Sequence, residues 1–374
     1  MKTFSEFAAS AAVIAAALAA SSAGAATVFT GDTIDGKRVV TNVDLADLPA
    51  GKHSLYFRGI QMGTGQYWYV PVVIAKGAQP GKRVLLTAGI HGDEISPMES
   101  VRQVMAALEP ATMSGSVIAA YGVSRASIER VQREWPTVHS MFNLNRAFPG
   151  NPKGNNPAAR HADLIWKGLF QPNTDVSIDF HTQMSGSSFS DFIYADLSKP
   201  EVKTMVSLFP IAHVKNDPGE PGTLETTFVS AGIPSATLEL GGPRIYDKKM
   251  IALFTEGTFN VLKHYKVMPG PIGRTAKDAN TFIGEKFSHI RTGVGGFLDL
   301  RVALNDKVVP GQVVAIQRNA FGETVAEHKA TVTGEVAVIQ DDAMIEPGGR
   351  VMTILYNGPD AACPSGPCPE DEPE

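Results

Sequence analysis

Short apolar runs alternate with helically spaced apolar positions between Arg83 and Lys266. The apolar runs are RVLLTAGI, SVIAAYGV, TDVSIDFHT and PSATLELGG, and the helical segments are ISPMESVRQVMAALE, ADLIWKGLF, EVKTMVSLFP and MIALFTEGTFNVLKHY. Continuous apolar runs indicate buried strands, whereas apolar residues that recur on one helix face indicate amphipathic helices. The alternation predicts an α/β domain with a mostly parallel or mixed sheet and helices on both faces.

The segments that flank this region have a β pattern. Residues 28–75 contain β-like runs such as HSLYFRGI, so we assign residues 26–268 to one α/β domain. Residues 269–285 are rich in Pro, Gly and polar residues, which is typical of a linker. In residues 286–357, VVPGQVVAI is echoed by IEPGGRVMTI, which predicts a small two-fold all-β sandwich. Residues 358–374 form an acidic tail.

Residues 1–25 have the pattern of a secretory signal. One lysine precedes an Ala-rich apolar stretch from about Ala8 to Ala20, and an A-x-A cleavage pattern ends at Ala25. A membrane anchor is the alternative, but the stretch is shorter than the roughly 20 residues that span a bilayer. We therefore expect an exported protein, periplasmic or secreted, whose mature chain has no membrane span.

Composition and charge exclude several classes of protein. The chain has 374 residues and 43% hydrophobic composition, as expected for a globular protein. Its net charge is −5, and no cluster of Lys and Arg supports nucleic-acid binding. Both cysteines, Cys363 and Cys368, lie in the tail, where they form either a local disulfide or a free pair. Neither arrangement gives the protein a catalytic thiol.

Four polar side chains follow or end three of the predicted strands. His91 and Glu94 follow RVLLTAGI, His181 ends VSIDFH, and Glu239 lies in SATLELG. Ligands bind beyond the carboxyl ends of the strands in open α/β sheets, so we expect these side chains to meet at one edge. Each has an ordinary explanation when it is taken alone, as a chance H-x-x-E spacing, a core histidine or a turn cap. The remaining histidines, which include His289, lack this context and are predicted to be structural or on the surface.

Two histidines and one glutamate form the ligand set of many catalytic zinc sites, which leave a fourth position for water. Two neutral imidazoles and one carboxylate keep such a site net positive, so the ion still acidifies water and polarises a carbonyl. We expect His91 and Glu94 to reach one ion across a tight turn, with Gly92 permitting the bend.

The loop NLNRAFPG carries Asn145 and Arg146 side by side. The planar guanidinium of arginine suits bidentate binding of a carboxylate, and a neighbouring asparagine can supply another donor. A structural loop arginine that pairs with a local acid is the alternative.

These motifs resemble the succinylglutamate desuccinylase/aspartoacylase family, within the larger group of zinc carboxypeptidase-like enzymes. The matching pieces are GIHGDE, NLNRAFPG, DFHT and LELGG, in the family's order, between about Leu85 and Val261. The C-terminal β region is also similar to that family's C-terminal domain, which is related to biotinyl/lipoyl-type sandwiches. The resemblance implies a zinc-dependent catalytic α/β domain that binds one Zn²⁺ per chain.

The resemblance also implies roles for the residues at the metal. His91, Glu94 and His181 match the family's zinc ligands. Glu239 matches its general base, which takes a proton from the attacking water and returns it to the departing amine.

Further roles concern the substrate. Asn145 and Arg146 match the pair that holds the substrate's carboxylate, and Arg133 resembles the arginine that stabilises the developing oxyanion. The family usually has Asp where this chain has Asn143, a departure that concerns the loop's hydrogen bonds more than the ligands. The segment between Arg133 and Asn145 is also slightly longer than usual. The Ser-rich segment after His181 predicts no clear substrate pocket.

Three functions compete on this basis. The first is a zinc amidohydrolase that deacylates an N-acyl amino acid or a similar small carboxylate. The second is an exported metallocarboxypeptidase that acts on short peptides or cell-wall peptides. The third is a non-catalytic carrier built on the biotinyl-like domain, but its expected hairpin tip, RNAFGETV, has no lysine to modify.

Overall fold

The structure is a computed structural model that describes residues 26–359. The predicted signal segment, both cysteines and nearly all of the predicted acidic tail lie outside these residues. Within residues 26–359, no helix is both long enough and apolar enough to cross a membrane.

The strands are numbered in chain order. They are β1 (Val28–Ile34), β2 (Lys37–Asn42), β3 (Gly51–Gln61), β4 (Tyr67–Lys76), β5 (Gln79–Ala88), β6 (Ser114–Tyr121), β7 (Trp135–Pro136), β8 (Met141–Phe142), β9 (Val176–His181), β10 (Ser187–Phe189), β11 (Asp191–Ala195), β12 (His213–Asn216), β13 (Ser235–Leu240), β14 (Phe282–Gly284), β15 (Lys286–Arg291), β16 (Gly296–Leu300), β17 (Lys307–Val308), β18 (Val313–Arg318), β19 (Thr324–Lys329), β20 (Gly334–Gln340), β21 (Met344–Ile345) and β22 (Arg350–Tyr356).

The α-helices are numbered separately. They are α1 (Ile95–Ala107), α2 (Arg125–Ile128), α3 (Pro157–Ile165), α4 (Pro200–Val206), α5 (Leu224–Ser230), α6 (Lys248–His264) and α7 (Ala276–Ala279). A π-helical turn, Trp166–Phe170, extends α3. Short 3-10 turns occur at Leu45–Asp47, Pro110–Thr112, Leu144–Arg146 and Gln171–Asn173.

One large sheet organises most of the chain, with the strand order β1-β2-β3-β4-β6-β5-β9-β13-β11-β12-β14. The four central strands, β6, β5, β9 and β13, are all parallel to their neighbours within this group. Strands β4 and β11 flank this group in antiparallel orientation, so the sheet is mixed. The N-terminal β-like runs extend one edge of the same sheet.

Helices cover both faces of this sheet. Alternate residues of β5 point to opposite sides: Val84 and Leu86 join the core under α1, α4 and α6, whereas Leu85 joins the core under α3 and α5. All three side chains are fully buried. The structure confirms the predicted mixed α/β class, because long apolar strands buried on both faces require this layering.

The C-terminal strands form two further sheets. One contains β10-β20-β22-β15 with β17 beside β20, and the other has the order β19-β18-β16-β21. The triplets β16-β17-β18 and β20-β21-β22 are related: each pairs its first and third strands and sends its short middle strand to the other sheet. The two echoed Pro-Gly segments occupy equivalent places in these triplets.

Part of the predicted linker is built into the fold. Residues 276–279 form α7, and β14 is an edge strand parallel to β12 in the large sheet. Thr281 anchors this segment by donating from Oγ1 to the carbonyl of Ile211 at 2.6 Å. The prediction of a linker over residues 269–285 was therefore wrong for this half, because a three-residue edge strand is too short to show a periodic pattern.

Candidate active site

Three neighbouring parallel strands, β5, β9 and β13, end at one edge of the large sheet. Pairing places Ala88 of β5 beside Phe180 of β9, and Glu239 of β13 beside His181. His91 lies just beyond β5, and Glu94 immediately precedes α1. The structure thus brings together the side chains that the sequence placed at strand ends.

His91, Glu94 and His181 converge on a common point. His91 Nδ1 lies 2.6 Å from Glu94 Oε1, His181 Nδ1 lies 2.9 Å from Glu94 Oε2, and the two Nδ1 atoms are 3.2 Å apart. One ligand atom from each residue lies within 4.8 Å of the others. The side chain of Glu94 is fully buried and both imidazoles are nearly so. These residues could hold one metal ion.

The outer nitrogen of each imidazole has its own partner. His181 Nε2 lies 2.9 Å from Asp179 Oδ2, and Thr87 Oγ1 donates to the other oxygen of Asp179 at 2.6 Å. His91 Nε2 lies 3.1 Å from Asn143 Oδ1. Such contacts orient a ligating histidine and fix its tautomer. Asn143, where the resembling family usually has Asp, therefore keeps a supporting contact to the site.

The three buried groups shift one another's pKa. Burial lowers the pKa of His91, with the charge of Arg133 acting in the same direction. Burial also opposes the charged form of His181, but Asp179 and Glu94 together hold its pKa well above the usual value. Burial opposes ionisation of Glu94 as well, yet the two imidazoles keep its pKa well below the usual value. Glu94 is therefore a carboxylate, as a metal ligand must be.

The turn between β5 and α1 depends on glycine for a different reason from the one expected. Gly89, not Gly92, has the left-handed backbone, with φ of 72°. A Cβ on Gly92 would lie 2.1 Å from the carbonyl carbon of Ser127. Gly92 also donates its N–H to the carbonyl of Gln132 at 2.9 Å, next to Arg133. Gly92 thus permits the close approach of the segment that carries Arg133.

The predicted substrate-binding residues lie beside this cluster. Arg133 NH1 is 3.2 Å from Glu94 Oε1. Asn145 Oδ1 accepts a hydrogen bond from the backbone N–H of Leu224 at 2.9 Å. A hydrogen bond from Asn145 to a ligand would therefore come from its side-chain amide nitrogen. Arg146 pairs with Glu220 at 2.6 Å. The guanidinium of Arg146 is therefore already bound to a carboxylate of the chain.

A cavity of about 490 Å³ opens over the cluster. This volume falls in the range of small-molecule sites. Its lining includes all the predicted site residues except Glu94, which lies beneath it: His91, Arg133, Asn145, Arg146, His181 and Glu239. Glu239 is 8% exposed, which gives its carboxylate the mixed burial and access that an acid/base group needs.

Several further residues of the cavity were not predicted. Strand β12 and the loop after it contribute Lys215, Asp217 and Glu220, and α5 contributes Glu225. The C-terminal strands contribute Phe287, His289, Arg291, Arg350 and Thr353. His289, which the sequence predicted to be structural or on the surface, thus lines the cavity. The Ser-rich segment, from which the sequence predicted no clear pocket, also lines the cavity. Thr182 and Gln183 directly follow β9, and Phe189 lies on β10, which pairs with the C-terminal strand β20.

Comparison with known proteins relates this chain to deacylating enzymes. Residues 80–265 match the family model described as the succinylglutamate desuccinylase/aspartoacylase catalytic domain. The N-alpha-acetyl-L-2,4-diaminobutyric acid deacetylase of Halomonas elongata is 25% identical over 299 residues, which cover 76% of this chain and 85% of that protein. The succinylglutamate desuccinylase of Vibrio parahaemolyticus is 25% identical over 200 residues, which cover 50% of this chain and 53% of that protein.

The fold is also found among solved structures. The product-bound ectoine utilization protein EutE of Ruegeria pomeroyi superimposes with a TM-score of 0.74 at 20% identity. The alignment covers 83% of this chain and 98% of that protein. The large mixed sheet and the additional C-terminal strands are therefore shared.

Proposed function

Since the chain belongs to the succinylglutamate desuccinylase/aspartoacylase family, we propose that it is a zinc-dependent amidohydrolase that deacylates N-acyl amino acids. The convergence of His91, Glu94 and His181 at the floor of a small cavity is the observation that carries this proposal. The two related enzymes are named as a deacetylase and a desuccinylase of N-acylated amino acids, which supports the same reaction class.

The residues of the cluster fit a catalytic zinc ion. Two imidazole nitrogens and one carboxylate are a common donor set for catalytic zinc, and Asp179 supplies the carboxylate that often supports a ligating histidine. When bound, zinc would polarise the scissile carbonyl and acidify a water molecule. The deep burial of Glu94 and its ionised state also fit a cationic ligand, because a buried carboxylate requires a compensating charge.

Glu239 and Arg133 line the cavity next to the cluster. We assign to Glu239 the transfer of a proton from the attacking water to the nitrogen of the departing amine. Arg133 is fixed beside Glu94 and carries a permanent positive charge, so it can stabilise negative charge that develops on the carbonyl oxygen.

Arg146 and Asn145 would bind the substrate's α-carboxylate. Arg146 lines the cavity, and its guanidinium donates to the carboxylate of Glu220, so a carboxylate can reach it there. The pair is partly exposed, and exposed ion pairs are worth only about 0–1 kcal/mol. A substrate carboxylate can therefore displace Glu220 at small cost.

The walls of the cavity favour a small substrate over a peptide. The C-terminal strands β15 and β22 stand over the metal cluster with Phe287, His289 and Arg350. A volume of about 490 Å³ accommodates an acylated amino acid, whereas an extended peptide needs an open groove. We therefore place the carboxypeptidase activity second.

The test is Glu239→Gln in the zinc-loaded protein. We expect this variant to bind zinc as the wild type does and to hydrolyse N-acetyl amino acids several orders of magnitude more slowly. Glu327→Gln, at an exposed position of β19, is the matched control and should keep full activity. Near-normal turnover by Glu239→Gln would remove Glu239 from the base role. Faster cleavage of short peptides than of N-acetyl amino acids by the wild type would favour the carboxypeptidase.

A further inference from the structure

One wall of the cavity is acidic and is formed by a single segment. Asp217, Glu220 and Glu225 lie between the end of β12 and the first turn of α5, and all three line the cavity. Two of them are paired with cations of the chain. Asp217 Oδ2 binds Lys215 Nζ at 2.8 Å, and Glu220 Oε2 binds Arg146 at 2.6 Å. The third acid, Glu225, has no cation of the chain paired with it among residues 26–359.

Glu225 is buried with one oxygen unsatisfied. Its exposed fraction is 4%, and Oε2 accepts a hydrogen bond from Thr226 Oγ1 at 3.1 Å. Within the part of the chain that the structure describes, no donor reaches Oε1. A buried polar atom without a partner is unfavourable, so a ligand that donates to it is bound preferentially. Glu225 therefore lines a ligand cavity and carries a buried acceptor that the described part of the chain does not use.

The surroundings of Glu225 favour a positively charged donor. Burial raises the pKa of Glu225 to about 8, against the hydrogen bond from Thr226 and together with the negative charges of Asp217, Asp179 and Asp196. The same negative field attracts a cation, which is the opposite charge. A neutral donor would satisfy Oε1 but would gain nothing from the field.

We propose that Glu225 binds an ammonium group on the substrate's side chain, so that the preferred substrates are N-acyl diamino acids. The inference rests on the proposed deacylase function and names the substrate class of that site. The α-carboxylate lies at Arg146, the scissile amide lies over the metal cluster, and the side chain extends toward the first turn of α5. On binding, the carboxyl of Glu225 releases its proton to solvent and pairs with the ammonium.

The first experiment compares two substrates of nearly equal shape. Nα-acetyl-2,4-diaminobutyrate carries a terminal ammonium where N-acetylnorvaline carries a methyl group. We expect the wild type to have at least a tenfold higher kcat/KM for the first, because sites built to pair a polar group discriminate strongly against its absence. Glu225→Gln should reduce the ratio of the two kcat/KM values about tenfold or more. Glu201→Gln, at the same position in the first turn of α4, should leave the ratio unchanged.

The outcomes separate this inference from the proposed function. Equal cleavage of both substrates by the wild type, or an unchanged ratio in Glu225→Gln, would overturn the role of Glu225 while the deacylase function stands. Failure to cleave any N-acyl amino acid would instead refute the deacylase function.

A binding measurement tests Glu225 without turnover. Calorimetric titration with 2,4-diaminobutyrate at pH 7, in buffers of different ionisation enthalpy, should show proton release by the wild type and none by Glu225→Gln. Equal proton release by the two proteins would overturn the assignment, whatever the activity.

Discussion

Replacement of Glu225 by Gln should reduce the dependence of the free energy of unfolding on pH. The pKa of Glu225 is raised from 4.5 to about 8, chiefly by burial. Below pH 4.5 both the folded and the unfolded protein keep the proton. As the pH rises toward 8, the unfolded chain ionises and the folded protein does not, so the wild type loses stability over this interval. Above about pH 8 both states are ionised and the loss is complete.

The size of this effect follows from the same interval. Each pH unit costs roughly 1.4 kcal/mol, so the wild type should lose at most about 5 kcal/mol relative to Glu225→Gln between pH 4.5 and 8. Gln has the same shape and no charge, so other titrating groups cancel in the difference between the two proteins.

Urea unfolding followed by tryptophan fluorescence, with a chelator present at every pH, measures the difference. The difference in unfolding free energy between the wild type and Glu225→Gln should stay constant below about pH 4.5. It should change progressively between pH 4.5 and 8, and the change should be complete above about pH 8. Glu201→Gln, an exposed acid at the same helix position, should follow the wild type. Parallel pH dependences for the wild type and Glu225→Gln would show that Glu225 ionises normally, and the argument from burial would fail.

The remaining predictions concern the ligands and the substrate carboxylate. Asp179→Asn should weaken zinc affinity about 10–100-fold by loosening His181, as measured by competition with a chromophoric chelator; unchanged affinity would contradict the supporting role. Asn143→Ala removes the contact to His91 and the hydrogen bond that Asn143 accepts from the backbone N–H of Asn145. We therefore expect weaker zinc binding and a loss of about 1 kcal/mol in unfolding free energy. Equal stability and zinc affinity in the variant and the wild type would argue against both contacts. Arg146→Ala should raise KM chiefly for substrates with a free α-carboxylate, and an equal effect on their carboxamide analogues would count against the clamp.

The candidate metal-binding cluster of His91, Glu94 and His181 could be predicted because its positions depend on local patterns. The apolar runs that become β5, β9 and β13 are long enough to identify as strands, and His181 and Glu239 are adjacent because those strands pair in parallel. Asp179 could have been found too. It precedes His181 by two residues, and side chains two apart on a strand share a face.

The part of the cavity wall formed by the C-terminal strands could not be predicted because no local sequence pattern specifies it. Phe189 pairs with Val338 across about 150 residues, and this pairing brings the C-terminal sheet, with His289, over the cavity. A second contact joins this C-terminal sheet to the large sheet, because His213 Nε2 of β12 lies 2.9 Å from Glu335 Oε2 of β20. A three-residue strand such as β10 carries too little alternation to reveal a partner so distant in the chain.

The candidate metal ligands and the residues of the cavity wall lie on different elements, and this affects how substrate specificity can change. The candidate metal ligands lie at or just beyond strand ends whose positions are fixed by buried pairing, so a change there disturbs the fold and the chemistry together. Glu225 lies instead in the first turn of a short helix, and Arg350 lies on a strand of the C-terminal sheet. A substitution at Glu225 alters the charge that we propose meets the substrate's side chain, and neither position belongs to the cluster of His91, Glu94 and His181. Specificity for an amine-bearing substrate can therefore be changed at Glu225, which lines the cavity from a helix and is not itself one of the candidate metal ligands.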